Sequence, residues 1–500
     1  MKKKLSLLLL GLTTALMIGC GAKAESTGKQ INSADDLEGA KIGVQLGTIG
    51  DIYVSDMEGD EAGTTVERYN KITDAVQALR QGKIDCVIVD EQPAIATTKD
   101  EKNLEILEEP FELEEYAICI AKDNNELLEK VNGALAELKE EGVIDQINAN
   151  YIGDDTKGTC PYVSPEGIEY TGTLVVATNA AFPPYEYYEE SKPVGIDMEL
   201  IKAVGDKIGL QVKIEDIEFD SIINAVDSHK ADVGIAGMTM TEERLKSINF
   251  SDPYTTSKQV IIVNNGAGAG NSLGFVDNFK RNFVDDNRWN YLFKGLINTL
   301  IIALCAVVAG VIIGFLVAIV RVTYDKTGSM VFLNAICKLY LTIIRGTPMM
   351  IQLLIIYYVV FKAVNVPKIL VAIIAFAINS GAYVAEIMRG GIMSIDGGQM
   401  EAGRSLGLDY KQTMTSIILP QAVKNVLPAL GNEFISLIKE TSICGYIGLM
   451  DLTRGGDIIR SITYEAFLPL IAVALIYLII VQVLNMGVGK LEKSLRKSEQ

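Results

Sequence analysis

The chain has 500 residues, 49% of them hydrophobic, with 63 acidic and 45 basic side chains for a formal net charge of -18. That length allows about two to four domains, and the acidic surplus argues against nucleic acid as a partner, because phosphate binding needs a basic surface. Apolar residues are unevenly spread: up to about residue 290 the chain is mixed and acidic, and long uncharged runs follow.

Lys2, Lys3 and Lys4 precede the apolar stretch Leu5–Ile18, which ends at Gly19-Cys20. This pattern is a targeting segment, residues 1–20, rather than a span. The small residue before Cys20 suits a lipoprotein processing site, although Met17 stands where Leu is usual. Processing there makes Cys20 the acylated N-terminus; without it the segment stays as an uncleaved anchor. Both readings put the following domain outside the cytoplasm. The other cysteines make no disulfide framework. Cys86 and Cys119 sit in strand-like runs, CVIVD and YAICIAK, where a buried thiol is expected. Cys160 is alone in a linker, and Cys305, Cys337 and Cys444 lie in or near the apolar runs.

Two blocks, residues 28–153 and 173–263, alternate short β runs with helical patterns and read as α/β units. A Gly/Pro/Thr-rich linker, 154–172, joins them, and a further linker, 264–289, leads into the membrane region, 290–495. There, Leu296–Val320 runs 25 residues without a charge and Ala466–Gly489 runs 24. Either can cross a hydrocarbon core, which takes roughly 20 residues. Gly346–Phe361, Ile369–Ala385 and about Ser416–Ile438 read as three more spans, for five in all. The polar residues inside them, Asn379, Glu386, Asn432 and Glu433, face neighbouring helices or a pathway. Asn379 and Glu433 are the pathway candidates, with a structural hydrogen bond between helices as the open alternative. Gly346, Gly381, Gly390 and Gly391 suit close helix approach. Five spans put the C-terminus inside, where Lys490, Lys493, Arg496 and Lys497 obey the positive-inside rule. Arg321, Lys326, Arg404 and Lys411 fall on the same side.

Between the last apolar runs stands EAGRSLGLDYKQTMTSIILPQA, residues 401–422, a polar helix-turn-helix pattern. Held between membrane spans, it is a natural docking surface for a cytosolic partner. Gly407 supplies a position free of side-chain sterics, and Pro420 restarts a helix without a donor. No GxxxxGK[ST] loop occurs, since neither QGKID nor GVGKL completes one, so the chain cannot be an energy-transducing subunit.

These residues carry a family resemblance. Glu401-Ala402, Gly407 and Ile418-Leu419-Pro420 resemble the EAA loop of ABC import permeases, which docks on an ATPase. IIRGTPMMIQLL, Ile343–Leu354, and EIMRGGIMSIDGGQMEA, Glu386–Ala402, extend that likeness to the histidine/glutamine-type permeases across the membrane region. In the second block, TLVVATNAAFPPYEYYE, VGIDMELIKAVGDKIGL and GMTMTEERLKSINFSDPY resemble the first lobe of polar amino-acid-binding proteins. In the first block, LGTIGD, CVIVDEQPA and the helices to about residue 153 resemble the second lobe. Each signature occurs once and the lobes stand in reversed order. The resemblance therefore implies one circularly permuted bilobal domain, α/β and of the type II periplasmic-binding-protein kind, followed by an all-α type I permease domain. Two decayed remnants of a tandem pair are the alternative. Permutation is tolerated where old termini lie close together at a surface.

The implied function is uptake of a polar amino acid, glutamine or a basic one such as arginine, by a receptor–permease subunit of an ABC importer. ATP and Mg would belong to a separate ATPase, and no cofactor is expected in this chain. Five spans make half a pore, so a permease homodimer in the cell membrane is implied, with the binding domain extracellular and the C-terminus cytoplasmic. A ligand-gated channel or sensor is the alternative, since such channels use the same bilobal fold, and some dehydratases share it too. The EAA-like loop has no use in a channel, and an attached permease argues against an enzyme.

A free amino acid is a zwitterion, so its site needs a cation and an anion. Arg244 offers a planar fork that matches a carboxylate. By resemblance it is the carboxylate ligand, assisted by the backbone at Gly237 and the hydroxyl of Thr239. Asp90 takes the ammonium, Thr48 adds donors to the carboxylate, and Phe182 and Phe219 bracket the side chain. Asn179 and Gln45 stand where the family varies with substrate, and Glu186 is either an aid to a basic side chain or structural. His229 is read as a solvated residue. Glu401, Ala402 and Gly407 are the implied ATPase-coupling residues.

Overall fold

The computed structural model describes residues 29–497 except 60, 100–102, 108–111, 153–155, 190–191, 266–273, 363, 365 and 464. The targeting segment with Cys20 lies outside the described residues. The chain divides into two compact units, Met1–Glu114 with Ser257–Ser272, and Glu115–Thr256 with Leu273–Gln500.

The soluble half runs, in chain order, β1 (Lys41–Gln45), α1 (Ile49–Ser55), β2 (Thr65–Tyr69), α2 (Ile72–Arg80), β3 (Cys86–Asp90), α3 (Glu91–Thr98), β4 (Leu104–Ile106), β5 (Glu112–Tyr116) and β6 (Cys119–Ala121). There follow α4 (Asn125–Glu140), α5 (Val143–Ile152), β7 (Gly172–Thr178), the ribbon β8 (Tyr187–Glu189) and β9 (Lys192–Val194), α6 (Ile196–Ile208) and β10 (Leu210–Asp216). The last elements are α7 (Ile222–Asp227), β11 (Val233–Gly234), β12 (Ile248–Phe250) and β13 (Thr255–Asn264).

In the first unit the strand–helix alternation yields parallel pairs of β1 with β2 and with β3, as crossover connections require. All five residues of β3 are buried, which is why CVIVD reads as a continuous apolar run rather than an alternation. α2 turns Ile72, Ala75, Val76 and Leu79 inward, the spacing of one helix face. The sheet is completed from the other block. β13 pairs antiparallel with β3 on one side and β4 on the other, burying Val260 to Val263.

The second unit mirrors this exchange. β7 pairs in parallel with β10 and β11, and the strand wedged antiparallel between β11 and β12 is β6, from the front block. Each sheet thus holds a strand encoded beyond the linker. One permuted domain requires this interlocking, whereas two separate remnants would each close on their own strands. α4 and α5 also pack on α6, tied by Lys207 Nζ to Glu141 at 2.6 Å and Tyr151 to Glu199 at 2.9 Å. The structural division therefore falls at Glu114 rather than near residue 153.

The membrane region contains α8 (Phe275–Phe279), α9 (Trp289–Thr327), α10 (Val331–Gly346), α11 (Met349–Leu354), α12 (Lys368–Met393), α13 (Gly397–Ser405), α14 (Tyr410–Thr413), α15 (Leu419–Glu440), α16 (Leu452–Thr463) and α17 (Phe467–Lys497). Among the described residues, three helices are long and apolar enough to cross a membrane: Trp289–Thr327, Lys368–Met393 and Phe467–Leu495. A fourth arises if Val331–Gly346 and Met349–Val360, bent by 111°, count as one. Two of the five expected runs do not qualify as spans on their own by this measure. The run at Gly346–Phe361 is only the second limb of a broken pair, interrupted at Thr347-Pro348, where the proline disfavours helix at the residue before it. The run at about Ser416–Ile438 is helical as α15, but Lys424, Glu433 and Lys439 make it too polar to pass as a span by composition.

Small residues let α9 and α12 meet closely. A Cβ on Gly314 would come 2.6 Å from Val384, and one on Gly381 would come 2.8 Å from Ile313. Gly391 has the same role against Val426, at 2.3 Å, whereas Gly346 and Gly390 have no neighbour within 4 Å of that position and make no such seam.

Strand exchange has a direct test. Ile120 is fully buried in β6, opposite Val233 and Asn249. Ile120→Ala should cost about 2–5 kcal/mol. Amide-exchange protection should fall in β11 and β12 while β1 and β2 keep theirs. Loss confined to β1–β3 would contradict the pairing.

Candidate functional site

In both α/β sheets the candidate residues follow the C-terminal ends of parallel strands, where open α/β folds place their ligands. In the first unit Gln45 and Asp90 are the last residues of neighbouring strands β1 and β3, and both are buried. Asp90 stands before α3, yet its carboxylate makes no capping bond to that helix. Thr48 begins α1: its hydroxyl donates to the Gln45 carbonyl at 2.8 Å and accepts from the Asp51 amide at 3.5 Å. Asp51 in turn accepts from the Gly47 amide at 2.9 Å and from Arg68 Nε at 2.7 Å, so the turn is braced from below.

The second unit gathers the remaining candidates. Asn179 follows β7, Phe219 follows β10, and Gly237 and Thr239 follow β11. The Asn179 side chain donates to the Ile217 carbonyl at 2.7 Å. Arg244 is buried, its Nη1 donates to the Thr239 carbonyl at 2.5 Å, and its guanidinium lies 5.7 Å from the centre of the Phe219 ring. Gly237 has φ +54, and a Cβ there would reach 3.0 Å from the Phe182 ring, so only glycine fits. Phe182 stacks on Tyr185 with centroids 5.9 Å apart. Phe182, Phe219, Gly237, Thr239, Asn179 and Arg244 are thus one neighbourhood.

One contact changes the role expected of Gly237. Its amide donates to Asp197 Oδ2 at 2.9 Å, while Tyr254 donates to Oδ1 at 2.9 Å. The backbone here is braced by a fully buried carboxylate. Asp197 escaped the sequence reading; its only signal was an acid between two apolar residues at the head of a helix, GIDMELI. Glu186 is also buried and acts electrostatically on the same group, which favours its structural reading. His229 is exposed, 3.3 Å from Asp123. Cys86 and Cys119 are free, buried strand thiols, pushed by burial up to about 12.

The second unit also contains a joint between its α/β lobe and the membrane helices that no motif announced. Arg454 of α16 is buried, with Nη1 on Glu218 at 2.6 Å and Nη2 on Asp216. Asp216 further accepts from the Ala180 amide at 3.0 Å and from the Tyr188 hydroxyl at 3.2 Å. Lys368 Nζ meets Glu215 at 2.5 Å. Gly448, with φ +65, has space for a backbone contact only: a Cβ would sit 2.4 Å from the Asp216 carbonyl. Residues 216 and 218 therefore face the permease, while the Ile217 carbonyl and Phe219 serve Asn179 and Arg244.

Of the pathway candidates, Asn379 donates to Gln352 Oε1 at 3.0 Å and Glu433 accepts from Ser380 at 2.9 Å. Both tie helices together. In the loop, α13 and α14 meet at Gly403, where a Cβ would come 2.5 Å from Thr413. Asp409 and Gln412 form a reciprocal capping box, at 2.7 and 2.9 Å. Between them Gly407 holds φ +88, with nothing within 4 Å of a Cβ. Glu401 and Ala402 are exposed, and Leu406 at the turn is 81% exposed.

The buried carboxylate gives a pH signature. Burial, opposed by its hydrogen bonds, pushes Asp197 from 3.8 up to about 6. The folded state then holds this proton more tightly than the unfolded one, so stability is present below pH 4 and is lost as pH rises through about 6. The full loss is about 3 kcal/mol. Asp197→Asn keeps an acceptor for Gly237 and has no charge to bury. The stability difference between variant and wild type should shift in favour of the variant between pH 4 and pH 6, then level off. A pH-independent difference in unfolding free energy would exclude this titration.

Residues 174–443 match the bacterial extracellular solute-binding proteins, family 3. Beyond Asn264 that match crosses membrane helices, so its α/β content is carried by the first part. The glutamine transport system permease protein of Escherichia coli (strain K12) is 36% identical over 208 residues, covering 41% of this chain and 93% of that protein. The arginine transport system permease protein of Bacillus subtilis (strain 168) is 35% identical over 211 residues, covering 42% and 94%. The crystal structure of an amino acid ABC transporter with histidines is 39% identical, covers 45% of this chain and 99% of that one, and has a TM-score of 0.40. Matched over more than half its length and spanning its permease relatives almost end to end, the chain belongs to the bacterial extracellular solute-binding proteins, family 3, and joins that domain to an ABC transporter permease.

Proposed function

We propose that the chain takes up a polar amino acid as the combined receptor and permease of an ATP-driven importer. The observation that carries this reading is the union, in one polypeptide, of an α/β pair with polar residues at its parallel strand ends and a membrane half like amino-acid permeases. Glutamine or a basic amino acid such as arginine is the substrate, in keeping with what the relatives are named for. Arg244 takes the carboxylate with Thr239 and Thr48, Asp90 takes the ammonium, and Phe182 and Phe219 exclude water. Gln45 and Asn179 read the substrate's side chain. The chain is a transporter subunit rather than an enzyme, and ATP and Mg are used by a separate ATPase. The permease works as a homodimer, with the receptor outside the cell and the C-terminus in the cytoplasm. A ligand-gated channel is the weaker reading, because an exposed coupling loop has no purpose in one.

Removing one partner of a desolvated charge pair costs roughly 2–5 kcal/mol, and each 1.4 kcal/mol is about tenfold in affinity. Arg244→Ala and Asp90→Ala should each weaken binding by decades, read by calorimetry of the full chain against the twenty amino acids. Near-native affinity in either variant removes that residue from the site. Substitution of Asn179 or Gln45 should change the preferred amino acid more than the occurrence of binding.

Glu401, Ala402 and Gly407 dock on the ATPase, with Leu406 as the apolar contact at the turn. Gly407→Val forces a β-branched residue into positive φ, and Leu406→Glu places a charge where an apolar contact forms. Either should abolish ligand-stimulated ATP hydrolysis in the reconstituted importer and leave ligand affinity unchanged. Stimulation at the wild-type level would show that the ATPase docks elsewhere.

A further inference from the structure

On the side of the membrane that carries the coupling loop, α9, α10 and α12 border an open recess of about 410 Å³. Arg321, Lys338 and Arg345 line it, with Glu386, Leu341 and Thr342. Three cations thus face one carboxylate, and Glu386 is already shared: it lies 3.7 Å from Arg345 and 3.3 Å from Arg389. Positive charge is left over. Arg321 gives Nη1 to Asn334 at 2.6 Å, but its Nε is buried without a hydrogen-bond partner. No ion pair to Lys338 occurs among the described residues. Unspent donors of this kind call for an anion with several acceptor oxygens.

Depth and surroundings select which anion. Arg321 is the first charge after the uncharged run Leu296–Val320, so it stands where the hydrocarbon core gives way to headgroups. Away from the cavity lining, α10 leaves Phe332, Leu333, Ile336, Leu339 and Ile343 exposed, with Phe332 at 77%. They recur at helical spacing and form one apolar face. A basic recess at headgroup depth, on a helix that also carries such a face, matches a phosphate diester carrying acyl chains. We propose that this cavity binds the headgroup of an anionic phospholipid, with Arg321 and Lys338 on the phosphate and the chains laid along α10. The site is separate from the amino-acid residues and from the coupling loop.

The test is retention of phosphatidylglycerol against phosphatidylcholine by the purified full chain, read by native mass spectrometry. Phosphatidylglycerol should be retained preferentially. Lys338→Gln and Arg321→Gln should each reduce that preference by about fivefold, the effect of one basic residue near an anionic surface. Among the described residues Lys338 makes no ion pair, so its variant separates binding from folding. Three results would overturn the proposal. The first is equal retention of both lipids. The second is full displacement by millimolar inorganic phosphate, which would mark a free-anion site. The third is unchanged lipid retention with a changed ratio of monomer to dimer, which would mean that a second copy of the chain occupies the face.

Discussion

Antiparallel pairing of β13 between β3 and β4, and of β6 between β11 and β12, is the constraint on which the soluble half depends. Without β13 the fully buried strand Cys86–Asp90 would keep a bare edge, and unpaired apolar edges invite association with other chains. Without β6 the short β11 would lose its antiparallel partner. Neither block can close its sheet alone. The register matters as well, because Val260 to Val263 pack on both faces of the sheet and a one-residue slip would exchange those faces. A permuted chain order is tolerated because strand pairing depends on which segments meet, and not on which is synthesised first.

The two sets of polar residues inherit their positions from these sheets. Parallel strands end together, so Gln45 and Asp90 are brought level by β1 and β3, while Asn179 and Gly237 are brought level by β7 and β11. Their backbones are then stiffened from behind, by Asp51 under Thr48 and by Asp197 under Gly237. Arg244 is fixed in the same way, by its bond to the Thr239 carbonyl and its place over the Phe219 ring. Rigid supports of this kind hold binding groups in place before a ligand arrives.

Much of this was legible in residues with strong local signals. CVIVD read as a strand-like run with a buried thiol, Gly407 as the turn of a helix-turn-helix pattern, and the uncharged run at Leu296–Val320 as a membrane span. What escaped reading depends on distant partners. Asp216 and Glu218 look like ordinary acids at a strand end, and their meaning lies in Arg454, more than two hundred residues later. Asp197 is opaque for the same reason, since Tyr254 and Gly237 reach it only after folding. The span count is hardest to read where composition and packing disagree. α15 is polar enough to fail as a membrane helix alone, yet Glu433 is satisfied by Ser380 of α12. The broken pair at Thr347-Pro348 announced its proline, but not the 111° change of direction.

The Arg454 joint bears on kinetics as well as architecture. Removing either acid would leave a buried guanidinium under-compensated, a strongly destabilising loss, so this lobe stays seated on its permease. A free receptor must diffuse to a transporter and competes with empty copies of itself. A receptor held by its own polypeptide is present at an effective concentration fixed by geometry, of millimolar order for short tethers. Import then responds to the amino acid alone. Making more receptor cannot speed an existing permease, because every permease already carries its own.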